Sequence, residues 1–367
     1  MNVALVYDRV NKMGGAERVL LALHELFPDA PLFTAVYDSL GAPWTKDMDV
    51  RPSFMNKIPF AKRHHEVFPW MTPFAFESFD FDAFDVVISV TSAEAKSIIT
   101  KPKTLHICYC LTPTRYLWSG FDLYAKNYFF GSSISSFFLK LFAPMLKSWD
   151  VIAAFRPDAY IAISNRVKER IERYYHRSVD AVIYPPVDTD MFHPASTKNP
   201  GDYYLFVSRL VGYKRPDIVI EACKRLDVPL VVIGSGNERK KLMRHASKKT
   251  TFVSDNLTDE KLARYYQDCR AFLFAGDEDF GIVAAEAQSC GKPVIAYKES
   301  GIAEIVIDGI TGVLYDKQTS ESLIKAIQKF ENMTIDEEAC RKKAMKFSTN
   351  RFKEEMQRYI KAQIYQV

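Results

Sequence analysis

Two glutamates at a fixed spacing are the residues of this sequence best suited to chemistry. Glu278 and Glu286 are separated by seven residues, and an aromatic-glycine step, Phe280-Gly281, follows the first. A buried strand is predicted over 271–275, because this short apolar run ends at polar turn residues. The run over 281–290 is helix-forming. Glu278 is therefore expected in a strand-to-helix loop, and Glu286 about one and a half turns into the helix.

This arrangement predicts a ligand site. In a parallel α/β sheet, ligands bind outside the carboxyl ends of the strands. The main-chain amides of Phe280, Gly281 and Ile282 at the helix start favour a negatively charged group or a hydroxyl-rich ring. One carboxylate can then hold one end of a polyhydroxylated ligand and the second the other end. The alternative is a solvated acidic loop followed by a glutamate on a helix surface.

The elements that must position these residues alternate between strand and helix along almost the whole chain. One series of apolar runs extends from Asn2–Asp8 to Ala181–Tyr184, and a second from Tyr203–Val207 to Pro293–Tyr297. The polar segment Pro194–Gly201 separates them and is the natural linker. Such alternation predicts parallel, helix-covered sheets. We therefore predict an α/β protein of two doubly wound, Rossmann-like domains across a cleft, residues 1–195 and 196–348, with a final helix over 349–367.

Composition and charge exclude several classes of protein. With 367 residues and 48% hydrophobic content, the chain can bury two cores, and a net charge of +4 is too small to indicate nucleic acid as the main partner. Cys108 and Cys110 stand close together in an apolar strand that matches no zinc spacing. Reduced core thiols in a cytosolic protein are expected. A strand at Asn2–Asp8 argues against a signal peptide, and no apolar run suffices to span a bilayer.

Further polar residues follow other predicted strands. Arg209 and Lys214 come after the first strand of the second series and can converge on one anionic group, for which a diphosphate is the obvious ligand. A basic surface loop is the alternative. The paired glycines Gly14-Gly15 precede a predicted helix, where amides can face phosphate or a sugar. The turn Gly234–Gly236 also allows close backbone approach, but such turns are common.

Together these motifs resemble those of family 4 retaining glycosyltransferases with the GT-B architecture, over nearly the full length of the chain. The resemblance rests on Gly14–Arg18, on Arg209 with Lys214, on Pro186–Phe192 and on the Glu278–Glu286 frame. It implies an N-terminal acceptor-binding domain and a C-terminal domain that binds a nucleotide-sugar donor. The last helix is expected to pack back on the N-terminal domain.

The resemblance also implies a role for each candidate residue. Arg209 and Lys214 would bind the donor diphosphate, and Glu286 the ribose hydroxyls. Glu278 and the amides of Phe280–Ile282 would hold the donor sugar.

In the same family, Gly14 and Gly15 would face the diphosphate from the opposite domain. The chain departs from the family pattern at three positions. Many relatives have histidine where this chain has Leu111, and glycine where Asp279 and Arg215 stand. The donor contact that this histidine makes in those relatives has no counterpart at Leu111. His106, inside the predicted strand, is interpreted as a packed core residue.

The segment Cys110–Trp118 resembles bacterial members that build lipopolysaccharide, including O-antigen, or exopolysaccharide, often mannosyltransferases. A hexosyltransferase is implied, with GDP-mannose favoured as donor and a UDP-sugar as the alternative. Its acceptor would be a glycan or a lipid-linked glycan. Two other functions stay open, namely a sugar-nucleotide epimerase of the same fold and a non-catalytic nucleotide-sugar-binding protein.

The chemistry expected of such a transferase requires neither a cofactor nor a metal. Two cations already neutralise the diphosphate, and the departing phosphate oxygen can take the acceptor proton in place of a protein base. Asp80-Phe81-Asp82 matches a metal-binding D-x-D pattern only superficially, because it precedes a predicted strand instead of following one.

Three segments that combine aromatic residues with nearby cations favour reversible attachment to an anionic membrane surface, at the cytoplasmic face. They are Asn127–Phe130, Ser136–Phe142 and the stretch from Lys57 to Trp70, which includes Lys62 and Arg63. The alternative is that these aromatics belong to the core or to the acceptor groove.

Overall fold

The computed structural model describes residues 1–59, 62, 70–123, 133–195, 201–253 and 257–364. The chain forms two compact units. The first comprises Met1–Tyr184 together with Lys353–Val367, and the second comprises Pro185–Phe352. The sequence predicts domain boundaries after residues 195 and 348. The C-terminal residues return to the first unit, where Lys353 forms an ion pair with Glu25.

The described part of the first unit contains one sheet of seven parallel strands. They run in the order β3-β2-β1-β4-β5-β6-β7. The strands are β1 (Val3–Tyr7), β2 (Leu32–Thr34), β3 (Val50–Pro52), β4 (Val86–Thr91), β5 (Leu105–Cys110), β6 (Ala159–Ala162) and β7 (Ala181–Val182).

The second unit contains, within its described residues, a sheet of six parallel strands. Their order is β10-β9-β8-β11-β12-β13. The strands are β8 (Tyr204–Val207), β9 (Leu230–Ile233), β10 (Thr250–Val253), β11 (Ala271–Phe274), β12 (Val294–Tyr297) and β13 (Gly312–Tyr315).

Helices connect these strands in both units. They comprise Gly15–Leu26, Thr72–Glu77, Phe121–Leu123, Ser133–Ala153, Asn165–Tyr175, Pro216–Leu226, Arg239–His245, Asp259–Asp268, Ile282–Ser289, Ser320–Glu331, Glu337–Ala344 and Thr349–Ile364. Short 3₁₀ turns lie at Pro43–Thr45, Phe54–Lys57, Ala95–Ser97, Gly212–Lys214, Gly301–Glu304 and Met345–Phe347. In the described parts of the chain, no helix combines the length and apolarity needed to cross a bilayer.

The inner strands are buried, as expected for parallel sheets covered by helices on both faces, whereas the edge strands β3, β7 and β10 are half-buried or exposed. Every residue of β4, β5, β8 and β11 is buried. Cys108 and Cys110 lie in the interior of β5 as free thiols. The predicted fold class, two doubly wound parallel-sheet domains, is thereby confirmed.

A buried ion pair joins the long helix Ser133–Ala153 to the segments that follow β4 and β5. Lys96 is 1% and Asp150 0% exposed, and Lys96 Nζ lies 2.5 Å from Asp150 Oδ1. Asp150 also accepts hydrogen bonds from Thr114 Oγ1 at 2.8 Å and from Trp118 Nε1 at 2.7 Å. Removing one partner of such a pair leaves an uncompensated buried charge, which typically costs about 3–5 kcal/mol.

Parts of the predicted membrane-binding segments lie outside the described residues. These parts are Asn127–Phe130, the side chains before Lys140 in Ser136–Phe142, and the stretch 60–69 apart from Lys62. The centre of the predicted linker, residues 196–200, also lies outside them.

His106 is a core residue of β5, as the sequence analysis expects. Its Nε2 lies 2.8 Å from Ser89 Oγ, and the ring is fully buried. Burial, reinforced by the positive charges of Arg177 and Arg156, lowers the pKa of His106 from 6.5 to about 3. The imidazole of His106 therefore stays neutral in the folded unit, whereas in the unfolded chain it becomes protonated as the pH falls below 6.5.

This depressed pKa predicts a pH dependence of stability. Since the unfolded state binds the extra proton, stability is present above pH 6.5 and is lost as the pH falls towards 3. Between pH 7 and pH 5, the wild type should lose about 2 kcal/mol more unfolding free energy than His106→Asn. Urea unfolding followed by tryptophan fluorescence measures this, because all four tryptophans belong to the first unit.

The matched control is His176→Asn, since His176 is exposed and its left-handed conformation suits asparagine. It should keep the wild-type pH dependence. An equal loss of stability in His106→Asn and the wild type would show that His106 does not govern acid sensitivity.

Candidate active site

The order of strands in the second sheet brings two predicted segments together. The chain passes outward through β8, β9 and β10, and then returns to the other side of β8 with β11, β12 and β13. β8 and β11 are therefore the neighbours at which the winding direction changes, and ligands bind at the carboxyl ends of such a pair. Arg209 and Lys214 follow β8, and Glu278 follows β11.

Lys214 and Glu278 form an ion pair at this switch point. The Lys214 Nζ donates to Glu278 Oε1, and the two side chains are 10% and 14% exposed. The ammonium also lies over the rings of Tyr213, at 5.0 Å, and Phe274, at 6.0 Å. A lysine and a glutamate predicted to serve different parts of one ligand are thus in direct contact.

Arg209 is linked to the same cluster through Tyr213. Its Nη2 donates to the Tyr213 hydroxyl at 2.5 Å, while the face of the Tyr213 ring lies against Lys214. Arg209 itself is exposed. The two cations predicted to bind one anion therefore share one aromatic neighbour, which the sequence analysis did not identify.

Main-chain contacts fix the position of the ion pair. The loop after β11 packs so closely on Lys214 that a Cβ at Gly276 would lie 2.9 Å from both its Cα and its carbonyl oxygen. On the other side, the Glu278 N–H donates to Ser300 Oγ at 3.1 Å, and the Gly301 N–H donates to the Glu278 carbonyl at 2.8 Å. Gly276, Ser300 and Gly301 carried no signal in the sequence beyond their occurrence near strand ends.

The helix Ile282–Ser289 begins directly after this loop, as the sequence predicts. Its N-cap, Gly281, has φ of 95°, and a Cβ there would lie 2.3 Å from Ile302 Cγ1. Glycine is required by both the conformation and the space. The helix start offers main-chain amides near Glu278, whereas the Phe280 side chain is buried and packs edge-on against Phe347.

Glu286 lies one turn into this helix and is 3% exposed. Its Oε2 accepts a hydrogen bond from the Tyr266 hydroxyl at 3.0 Å. Tyr266 belongs to the helix Asp259–Asp268 and packs against Phe192 and Phe272. The Glu286 carboxylate is thus oriented by a buried tyrosine that the sequence analysis missed.

The first sheet changes its winding direction between β1 and β4, and Gly14 and Gly15 lie after β1. Gly14 is the extended N-cap of the helix Gly15–Leu26, and a Cβ there would lie 3.0 Å from Glu17 Oε2. Burial raises the pKa of Glu17, whose Oε1 accepts from the Tyr7 hydroxyl at 2.8 Å. The glycine turn therefore rests on a buried carboxyl group.

The three departures from the family pattern have distinct surroundings. Leu111 follows β5 and donates its N–H to the Thr91 carbonyl at 2.8 Å. Arg215 has φ of 51°, a left-handed conformation in which a side chain is strained, and its guanidinium is held by Asp217. Asp279 is buried. The glycine of many relatives suits the backbone at position 215.

The D-x-D segment is engaged locally. Asp82 forms an ion pair with Lys101, and Asp80 Oδ1 accepts from the Asp82 N–H at 2.8 Å. Both residues lie in the turn that precedes β4, at the amino edge of the first sheet.

The second unit is similar in sequence to known glycosyltransferases. Residues 188–347 match the family described as glycosyl transferases group 1. An uncharacterized glycosyltransferase of Methanocaldococcus jannaschii is 32% identical over 182 residues, 48% of this chain and 50% of that protein. A D-inositol 3-phosphate glycosyltransferase of Xylanimonas cellulosilytica is 30% identical over 194 residues, 45% of this chain and 46% of that protein. The chain spans about half the length of these curated relatives.

Solved structures of similar fold match the whole chain. The HepE protein of Anabaena, in complex with UDP and glucose, has a TM-score of 0.73 at 17% identity and covers 98% of this chain and 99% of that one. A sucrose-phosphate synthase of Thermosynechococcus elongatus has a TM-score of 0.74 at 16% identity and covers 100% of both chains. The chain thus has the GT-B fold, and its residues 188–347 are similar to the glycosyl transferases of group 1.

Proposed function

We propose that this protein is a family 4 retaining hexosyltransferase acting in cell-surface polysaccharide synthesis. It transfers mannose from GDP-mannose, with a UDP-sugar as the alternative donor, to a glycan or lipid-linked glycan. The observation that carries the proposal is the cluster of Arg209, Lys214 and Glu278 at the switch point of the group 1 domain. This cluster combines two cations for a diphosphate with a carboxylate for sugar hydroxyls.

The roles follow from charge. In the transfer, negative charge grows on the departing diphosphate, and Arg209 and Lys214 stabilise it. The departing phosphate oxygen takes the acceptor proton on the same face, so the protein supplies orientation in place of a general base. Glu278 holds the sugar, and the amides at the start of the helix Ile282–Ser289 complete that subsite. Glu286 holds the ribose.

The donor is identified by a thermal-shift screen. A ligand that binds only the folded state raises the melting temperature. GDP-mannose is favoured by the resemblance of Cys110–Trp118 to mannosyltransferases, while the HepE neighbour was solved with UDP and glucose. We expect GDP-mannose to give the largest shift among GDP-, UDP- and ADP-sugars. A larger shift with a UDP-sugar would reassign the base, and no shift with any donor would contradict the proposed function.

The role of Glu286 predicts a loss of nucleotide affinity. Glu286→Gln should lower the affinity for both the free nucleoside diphosphate and the sugar donor by about tenfold, because a charged hydrogen-bond acceptor is lost. Isothermal titration calorimetry measures both affinities. The matched control is Tyr266→Phe, which removes the hydrogen bond to Glu286 and keeps its charge. If Glu286→Gln lowers the melting temperature without changing nucleotide affinity, the glutamate serves only the fold.

The role of the cations predicts a loss of turnover. Arg209→Ala should lower kcat by on the order of a hundredfold, since it removes a donor directed at the leaving group. Arg239→Ala is the control, because Arg239 is a surface arginine of the same unit that lies over Phe252. Activity should persist in EDTA. Complete loss on chelation, restored by manganese, would contradict a metal-free transfer and favour a role for Asp80 and Asp82.

We also propose that the protein attaches reversibly to anionic membrane at the cytoplasmic face. Support comes from an outer face of the helix Ser133–Ala153, which we define as Leu141, Met145 and Ile152. Their spacing places them along one side, and each is more than half exposed. Phe74 and Trp70 are further exposed aromatics of the same unit.

The charges around the outer face favour anionic lipid as its partner. Lys140 is exposed and Lys147 half-buried, with its Nζ 4.5 Å from the Phe121 ring centroid. Asp150 is the acidic residue between positions 140 and 155, and its charge is withdrawn into the ion pair with Lys96. An apolar face with cations beside it suits the boundary between lipid and water.

This surface predicts the effect of one added charge. Ile152→Glu should lower the fraction bound to vesicles of phosphatidylcholine and phosphatidylglycerol about tenfold at low salt, through lost apolar burial and charge repulsion. Co-sedimentation measures it. The control, Ile310→Glu, alters an exposed isoleucine of the second unit and should bind as the wild type does. Transfer to a soluble acceptor analogue should be unchanged. If the wild-type protein does not co-sediment with these vesicles, the proposed attachment is wrong.

A further inference from the structure

The contact between Lys214 and Glu278 means that the anion site is occupied by one of the protein's own side chains. A positive charge that is 10% exposed faces a negative charge that is 14% exposed, with their polar atoms in direct contact. Charges withdrawn from water to this extent interact strongly, and separating them is unfavourable unless each finds a new partner. A ligand that binds Lys214 must therefore also donate hydrogen bonds to the Glu278 carboxylate that it displaces.

A diphosphate alone offers a new partner to Lys214 but none to Glu278. Its oxygens can bind Lys214, but the displaced Glu278 carboxylate then loses its cation and lies beside further negative charge. A diphosphate that carries a sugar provides for both, because sugar hydroxyls donate hydrogen bonds to a carboxylate. The complete donor satisfies the cation and the anion, whereas the diphosphate left after transfer does not.

The backbone prevents the pair from avoiding this competition. Gly276 packs on the Lys214 main chain, and the Ser300–Gly301 turn holds the Glu278 main chain from the opposite side. Neither main chain can withdraw without breaking those contacts. The exchange of partners is therefore confined to the two side chains.

We infer that Glu278 makes the site discriminate against free nucleoside diphosphate, and that it promotes product release by reclaiming Lys214 once the sugar has left. This inference rests on the proposed function, in which Lys214 binds the donor diphosphate. It adds to Glu278 a second role, as an internal competitor for the cation. Removing the carboxylate should then strengthen diphosphate binding.

The experiment compares Glu278→Gln with the wild type by isothermal titration calorimetry. The probes are GDP and UDP as diphosphates, and GDP-mannose and UDP-glucose as donors. Glu278→Gln should bind the matching diphosphate at least tenfold more tightly than the wild type, without a comparable gain for the sugar donor. The constant for product inhibition by that diphosphate should fall by a similar factor.

The matched control is Glu321→Gln, which removes a carboxylate paired with Arg225 on the surface of the same unit. It should bind diphosphate as the wild type does. Should Glu278→Gln fail to fold, Glu278→Ser removes the same charge and serves the same comparison.

Two outcomes separate the inference from the function on which it rests. If the wild type binds diphosphate and the folded Glu278 variant binds it no more tightly, the competition is refuted and the proposed function stands. If neither protein binds any of the four nucleotides, both are refuted.

Discussion

Main chain packed directly on main chain at the carboxyl edge of the second sheet is the constraint on which the candidate site depends. A Cβ at Gly276 would lie 2.9 Å from the backbone of Lys214, and one at Gly301 would lie 2.3 Å from the Asp279 carbonyl oxygen. These contacts bring the loops after β8, β11 and β12 into one layer. The main chains that carry the cation and the carboxylate are therefore held close together.

The two units contain lysine–carboxylate pairs that differ in what surrounds them. Lys96 and Asp150 are 1% and 0% exposed, and Thr114 and Trp118 complete the coordination of the carboxylate. Such a pair has no approach for a ligand and serves the fold. Lys214 and Glu278 are partly exposed and lie at a switch point, so a ligand can replace either partner. Accessibility, more than charge, distinguishes structural pairs from those suited to binding.

The features that depend on local sequence pattern could be predicted. The apolar runs predict the strands and the alternation predicts the fold, while the loop position of Glu278 and the helical position of Glu286 follow from spacing alone. What depends on chain-distant contact could not be predicted. Tyr266 meets Glu286 across 20 residues, and Lys214 meets Glu278 across 64. The polar linker composition predicts a domain boundary after residue 195, while tertiary contacts divide the compact units after Tyr184.

The helix Ser133–Ala153 connects an exposed apolar surface to the loop that follows β5. Its inner side carries Asp150, which holds Thr114 and Trp118 after β5, while its outer side presents Met145 and Ile152. Any tilt imposed from outside must stretch the hydrogen bonds at Asp150 or carry the β5 loop along. The segment that resembles polysaccharide-building enzymes, Cys110–Trp118, is thus hydrogen-bonded to the same helix that carries the proposed membrane-binding face.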